Sequence, residues 1–220
     1  MPLCKLTAGF LEFQSSTFVP KRALFDQLAV KQRPRVMMIA CSDSRVDPAI
    51  LTNAEPGDLF MVRNVANLVP PCVTDHAQHG VSAALEYGVT ALGVEHIVVF
   101  GHVDCGGIQA LLTGDPAIDE EHTFIHRWLH IADEARRRTL IVARHQPLAA
   151  QLRILEQEAI KTSLANLLTF PWIEQRVADR RLRVHGWIFD INAGRVDAYL
   201  PDQDAFAPLT LELAARLQSA

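Results

Sequence analysis

The sequence lacks several features that would assign it to common classes of protein. It has no apolar run near the ~20 residues that a membrane-spanning helix needs. It has no Cys-x-x-Cys pair, so neither a zinc ribbon nor a thioredoxin-type redox pair is predicted. Its formal net charge of −4 gives no electrostatic reason to expect binding to anionic polymers or surfaces. We therefore expect no nucleic-acid partner and no membrane partner.

The N-terminal stretch MPLCKLTAGFLEFQ has neither the long apolar region nor the clear cleavage site of a secretory signal. We therefore expect a cytoplasmic protein, in which thiols stay reduced. Cysteines that lie beside other reactive residues are then best interpreted as metal ligands or catalytic groups. Of the four cysteines, Cys4 and Cys72 have no such neighbours and are interpreted as ordinary side chains, whereas Cys41 and Cys105 have them.

The chain has 220 residues, 49% of them hydrophobic and 21% charged, which is enough for one domain with its own core. We predict a single domain over residues 1–220. Its residues 1–34 form an apolar helical arm, which Pro20 should interrupt near its middle. The arm is expected to pack on the core or on a second subunit.

Short apolar runs alternate with helical patterns along the rest of the chain. Buried strands are predicted for VMMIA (36–40), LFMVRN (59–64) and HIVVFG (96–101). Helices are predicted for residues 75–92, 106–112 and 119–168, the last with a break at 145–147. Residues 182–200 alternate around an Asn-Ala-Gly-Arg turn and predict a hairpin. This order predicts an α/β fold: a mostly parallel central sheet flanked by helices, an antiparallel edge strand and an N-terminal helical arm.

Two segments rich in reactive side chains follow predicted strands. CSDSR places Cys41, Asp43 and Arg45 after the first strand, and GHVDCGG places His102 and Cys105 after the third. Ligands of α/β sheets bind beyond the carboxyl ends of the strands. Because neighbouring strands lie ~4.8 Å apart, side chains from two strand ends can reach a common ion.

Cys41, His102 and Cys105 together make the ligand set of a catalytic zinc site. Two thiolates and a neutral imidazole neutralise Zn²⁺ and leave the fourth position free, with Asp43 as the other candidate for that position. Arg45 can hold Asp43 in a bidentate clamp, which keeps the carboxylate ionised beside the metal.

Simpler interpretations exist for each residue taken alone. A buried cysteine is usually a small apolar side chain, and Asp43 and Arg45 could form a purely structural ion pair. A phosphatase-type nucleophile at Cys41 is disfavoured, because the Cys-x₃-Arg spacing is too short for a phosphate-binding loop and contains no glycine. Two further groups of histidines are interpreted as polar helix residues. His76 and His79 could bind a metal but have no evident third ligand, and adventitious metal binding is the alternative for His122, His126 and His130.

CSDSR combined with HxxCGG resembles the β-class carbonic anhydrases. The resemblance continues through EPGDLFMVRNVANLVPP (55–71), ALEYGV (84–89), HIVVFGHVDCGG (96–107), LANLLTFPWI and RVHGWIFDINAGRV. It implies a carbonate dehydratase, a zinc lyase that interconverts CO₂ and bicarbonate. It also implies that Cys41, His102 and Cys105 bind Zn²⁺ and that Asp43 and Arg45 form the catalytic dyad.

The resemblance further implies a substrate pocket and an assembly. Gln32, Phe60, Val65 and Tyr87 fall at positions that line the pocket, and Gly106 falls at a backbone donor beside the substrate. The family forms homodimers, in some members tetramers, in which the partner subunit supplies part of each pocket. The N-terminal arm suits that contact.

One departure from the family concerns the residues before Cys41. Members inhibited by bicarbonate have Trp-x-Gly there, whereas this chain has Met-Ile-Ala over 38–40. We therefore expect an open site near neutral pH, with Asp43 paired to Arg45, and Asp43 as fourth zinc ligand only in a closed low-pH state. Two alternatives stay open: hydrolysis of a CO₂-like substrate, carbonyl sulfide or carbon disulfide, and a non-catalytic structural zinc protein.

Overall fold

The computed structural model describes residues 1–75, 77–114 and 123–219. These residues form two compact units, Met1–Arg33 and Pro34–Ala220. Within the described ranges, no helix combines the length and the apolarity needed to cross a bilayer.

The N-terminal unit consists of two helices joined by a turn. Helix α1 spans Pro2–Phe13 and continues as a π-helical turn over Gln14–Phe18, and α2 spans Arg22–Val30. Pro20 lies in the turn between them, which confirms the predicted interruption. The unit has its own aromatic contacts, since the Phe25 ring centroid lies 5.0 Å from that of Phe18. Its predicted role as a subunit contact stays a prediction.

The second unit contains one six-stranded sheet with the strand order β2-β1-β3-β4-β5-β6. The strands are β1 (Val36–Cys41), β2 (Leu59–Asn64), β3 (His96–His102), β4 (Arg183–Asp190), β5 (Arg195–Leu200) and β6 (Ala205–Pro208). Strands β1 to β4 are parallel, and β5 and β6 are antiparallel to their neighbours. The predicted α/β class is confirmed, and the antiparallel edge has two strands because β6 extends the predicted hairpin.

Eight further helices belong to this unit within the described residues: α3 (Pro48–Thr52), α4 (Gly80–Glu86), α5 (Gly106–Thr113), α6 (Phe124–Leu129), α7 (Asp133–Ala143), α8 (Leu148–Leu167), α9 (Pro171–Ala178) and α10 (Leu211–Ser219). Helix α4 continues as a π-helical turn over Tyr87–Leu92, and 3₁₀ turns cover Val65–Asn67 and His130–Ala132. The gap between α7 and α8 confirms the predicted break at 145–147. Residues 115–122, near the start of the predicted helical stretch 119–168, lie outside the described residues.

Both faces of the central strands are buried, which explains why their sequences are continuously apolar. Met37 and Ile39 of β1 belong to one hydrophobic cluster, whereas Met38 and Ala40 belong to another. Helix α8 packs closely on the sheet because β4 has a glycine there: a Cβ on Gly186 would lie 2.6 Å from the Ile160 side chain. This close approach brings the same helix behind the site at the strand ends.

Candidate metal centre

The ends of β1 and β3 bring three potential metal ligands together. Cys41 is the last residue of β1, His102 is the last residue of β3, and Cys105 follows a short turn after β3. Their ligand atoms all lie within 4.8 Å of one another, and all three residues are buried. Over the described residues, this is the only group of three or more His, Cys, Asp or Glu side chains with such geometry.

The His102 imidazole is oriented so that one nitrogen faces the thiols. Its Nδ1 lies 2.9 Å from the Val103 carbonyl oxygen, which can only accept, so the ring proton is on Nδ1. The side chain is 0% exposed, and among the described residues Nε2 has no hydrogen-bond partner. A buried nitrogen without a partner is unfavourable. A metal ion would satisfy its lone pair, and the Nδ1 contact is the support that metal-binding histidines usually have.

The two thiols have the spacing and the electrostatics of a zinc site. Their sulfur atoms lie 3.9 Å apart, too far for a disulfide and close to the ~3.8 Å that two tetrahedral Zn–S bonds of ~2.3 Å produce. The hydrogen bond from Cys105 lowers the pKa of Cys41 well below that of a free thiol. The same contact raises the pKa of Cys105, because a second thiolate beside the first is disfavoured. A divalent cation removes this conflict, so the residues present fit Zn²⁺.

Asp43 and Arg45 form a bidentate ion pair at the edge of this cluster. Arg45 Nε and Nη2 donate to the two carboxylate oxygens at 3.0 Å and 2.8 Å, and the Arg45 backbone N–H also donates to Asp43. These bonds hold the pKa of Asp43 well below its usual range. Asp43 Oδ2 lies 3.8 Å from His102 Nε2. An ionised carboxylate therefore lies beside the three ligand atoms while its oxygens are bound to arginine.

Arg63 shapes the loop that carries this pair, and sequence reasoning missed it. Its guanidinium donates to the carbonyl oxygens of Cys41 at 3.0 Å, Asp43 at 2.7 Å and Val46 at 2.7 Å. One charged side chain thus binds three carbonyls of a loop that has no regular secondary structure over its first residues. The sequence feature that could have identified Arg63 is its charge within the otherwise mostly apolar strand LFMVRN.

A second unpredicted group connects Arg45 to the β4–β5 hairpin. Arg45 Nη2 also donates to the backbone oxygen of Asp104 at 3.0 Å. Asp104 has a left-handed φ of 56°, and its side chain accepts a bond of 3.0 Å from Asn192 in the hairpin turn. The hairpin thereby supports the turn between His102 and Cys105.

Glu156 of α8 lies behind the second cysteine. It is 4% exposed, and its Oε1 accepts a hydrogen bond of 3.2 Å from the Cys105 backbone N–H. Burial raises the pKa of Glu156 to about 7. No motif identifies this residue, because it is far from the ligands in sequence and only the packing of α8 on the sheet brings it there.

The predicted pocket residues occupy several elements. The Phe60 and Tyr87 rings lie 5.9 Å apart, Val65 begins the 3₁₀ turn after β2, and Gly106 is the first residue of α5. Gln32 belongs to the separate unit Met1–Arg33. The substrate roles of all five residues stay predictions.

Comparisons with known proteins agree with this site. The family model described as carbonic anhydrase matches residues 36–196. A carbonic anhydrase of Pseudomonas aeruginosa is 42% identical over 190 residues, which cover 86% of this chain and 84% of that protein.

Two solved structures have the same fold. The β-carbonic anhydrase CcaA superposes with a TM-score of 0.89 at 36% identity, covering 95% of this chain and 100% of that one. One of two tetrameric β-carbonic anhydrases from Sordaria macrospora superposes with a TM-score of 0.78 at 28% identity, covering 90% and 96%. This chain therefore belongs to the carbonic anhydrase family, in its β class.

Proposed function

We propose that this chain catalyses the zinc-dependent reversible hydration of CO₂ to bicarbonate and a proton, with Zn²⁺ held by Cys41, His102 and Cys105. The observation that carries the proposal is the buried, unpartnered His102 Nε2 facing two buried thiols, with the ionised Asp43 beside it. A purely structural zinc site has no use for a carboxylate clamped next to the metal. The family membership supports the same reaction.

When bound, Zn²⁺ supplies the Lewis acidity that makes water a nucleophile near neutral pH. Asp43 supplies an acceptor that orients the attacking water through a hydrogen bond. Arg45 keeps Asp43 ionised and occupies both carboxylate oxygens, which restrains Asp43 from becoming a fourth metal ligand. Asp43 would become that ligand only in a closed state at low pH, once its pairing with Arg45 is lost.

The substrate is assigned to the surface beside the metal centre. Val65, directly after β2, provides an apolar contact suited to CO₂, which is small and uncharged. Phe60 pairs with Met37, four register positions from the pair of Cys41 and Asn64, so Phe60 and the neighbouring Tyr87 provide their apolar contacts to the pocket of the partner subunit. The Gly106 N–H lies at the start of α5, where backbone donors and the helix dipole favour an anion such as bicarbonate. Gln32 provides an amide for a bicarbonate oxygen.

We further propose one domain over residues 1–220 that acts in the cytoplasm as a homodimer or a tetramer. The tetrameric Sordaria macrospora enzymes support an oligomer of this class. The apolar N-terminal arm, residues 1–34, is the proposed subunit contact. Light scattering of the purified chain, with and without residues 1–30, tests this: loss of the dimer on truncation is expected, and an unchanged mass contradicts it.

Stopped-flow assays of the zinc-loaded protein with CO₂, carbonyl sulfide and carbon disulfide test the reaction. We expect CO₂ hydration, and an Asp43→Asn variant that is about 10²-fold slower with its zinc retained, as for a positioned proton acceptor. Asp197→Asn is the matched control, because Asp197 forms an equivalent bidentate pair with Arg195 on β5. Turnover of carbonyl sulfide or carbon disulfide alone would mean that the protein is a hydrolase and not a carbonate dehydratase. No turnover of any of the three at full zinc content would mean that the zinc site is structural.

A further inference from the structure

A second cluster of metal-binding side chains lies on the surface between α6 and α7. His126 is in α6, and His130 begins the 3₁₀ turn that follows. Their Nε2 atoms lie 2.7 Å apart. Two metal–nitrogen bonds of ~2.0–2.1 Å, at an N–metal–N angle between a right angle and a tetrahedral angle, place the two nitrogens about 3 Å apart. A small adjustment of the two side chains therefore accommodates one ion.

Asp133 gives this pair the support typical of a metal-binding histidine. Its Oδ2 accepts a short hydrogen bond from His130 Nδ1. Because the carboxylate fixes the ring proton on Nδ1, the His130 Nε2 lone pair is directed at the neighbouring imidazole. Carboxylate–histidine–metal arrangements use the same contact to orient the ring and strengthen the ligand.

The cluster is accessible and has space for additional ligands. His130 and Asp133 are about half exposed, with side-chain exposures of 49% and 50%. The two imidazoles and Asp133 line a cavity of about 80 Å³, which is room for about two water molecules. Arg136 also lines the cavity and adds positive charge, which the Asp133 carboxylate offsets.

We propose that His126 and His130 form a second divalent-metal site, separate from the Cys41–His102–Cys105 centre. Asp133 is its positioning residue, and water completes the coordination. The ion is of the class that prefers imidazole ligands, such as Ni²⁺ or Cu²⁺. Binding cross-links α6 to the following turn, and α6 carries Trp128, whose indole N–H donates to the Val65 carbonyl at 2.8 Å. The site therefore stabilises a helix that contacts the predicted pocket wall.

Calorimetric titration of Ni²⁺ into the zinc-loaded, untagged full-length protein tests the site. We expect one Ni²⁺ per chain for the wild type, and none at the same concentrations for His126→Gln and for His130→Gln. Asp133→Asn should weaken binding about 10-fold, the lower limit for loss of a supporting carboxylate. His145→Gln is the matched control, because His145 is exposed and lies beyond α7; it should bind like the wild type.

The zinc content and the thermal unfolding of the same samples distinguish loss of the second site from loss of the zinc centre or of the fold. We expect one Zn²⁺ per chain in every variant, and a Ni²⁺-dependent rise in melting temperature for the wild type that His126→Gln lacks. Wild-type protein that takes up no Ni²⁺ would overturn the proposal. Full Ni²⁺ binding by His126→Gln would also overturn it. A His122→Gln variant is titrated as well, and loss of Ni²⁺ binding in that variant alone would likewise overturn the proposal.

Discussion

The partly buried pair His96 and His185 should make the stability of the protein depend on pH. The two residues lie on the neighbouring strands β3 and β4, with His96 Nδ1 3.1 Å from His185 Nε2. Burial, together with the charges of His96 and Arg183, lowers the pKa of His185 from 6.5 to about 4. The folded protein therefore binds fewer protons than the unfolded chain between these two values.

The sign and size of the effect follow from this difference. The stabilisation is fully present above pH 6.5 and is lost as the pH falls toward 4, because the unfolded chain gains a proton that the folded chain excludes. A shift of this size corresponds to about 3 kcal/mol in total, of which about 2 kcal/mol is lost between pH 7 and pH 5. His185→Gln removes the titrating group and should remove this part of the pH dependence.

Urea unfolding of the wild type and of His185→Gln, at several pH values from 7 to 5, measures the effect. Zinc release and carboxylate titration act on both proteins, so the difference between their unfolding free energies isolates the imidazole. The exposed His145→Gln variant should follow the wild type. If the wild type and His185→Gln lose stability in parallel, the assigned burial effect is wrong.

Three other substitutions test the packing and the site. Gly186→Ala places a Cβ 2.6 Å from the Ile160 side chain and should destabilise the protein by about 1–3 kcal/mol, read from urea midpoints. Asn192→Ala removes a support of the active-site turn and should lower kcat/KM several-fold and alter its pH profile, with zinc unchanged. Cys105→Ala should lose zinc by elemental analysis, whereas Cys72→Ala should keep it.

Each of these has an outcome that would contradict it. For Gly186→Ala, the control is Gly80→Ala, since a Cβ there meets no atom within 4 Å. Equal urea midpoints for the two variants would show that α8 can move away from the sheet at little cost. An unchanged rate and pH profile in Asn192→Ala would mean that the hairpin contact is dispensable. Stoichiometric zinc in Cys105→Ala would invalidate the ligand set.

Local sequence patterns predicted much of the fold because they carry their own physical cause. The runs VMMIA and HIVVFG are buried on both faces, so they are apolar without interruption. The 145–147 break contains a proline, which cannot continue a helix. Helical spacing predicts a helix from residue 75, which is too early, because α4 begins at Gly80. Apolar periodicity marks a face of a helix but not the residue at which hydrogen bonding begins.

The parts of the site that escaped prediction depend on tertiary contacts. Cys41, His102 and Cys105 were found because two short motifs follow strands that pair in parallel. Glu156 reaches Cys105 only through the packing of α8. Asn192 reaches the same turn only because β4 pairs with β3 and directs the hairpin there. Strand register and helix packing set these contacts, and neither leaves a local pattern in the sequence.

The most direct test of the central claim is the rate of CO₂ hydration by one wild-type sample, measured with zinc bound, after its removal by a chelator, and after one equivalent is restored. The proposed function predicts rapid hydration, its loss with the metal, and recovery with one Zn²⁺ per chain. Hydration that persists without zinc, or that is absent at full zinc content, would contradict it.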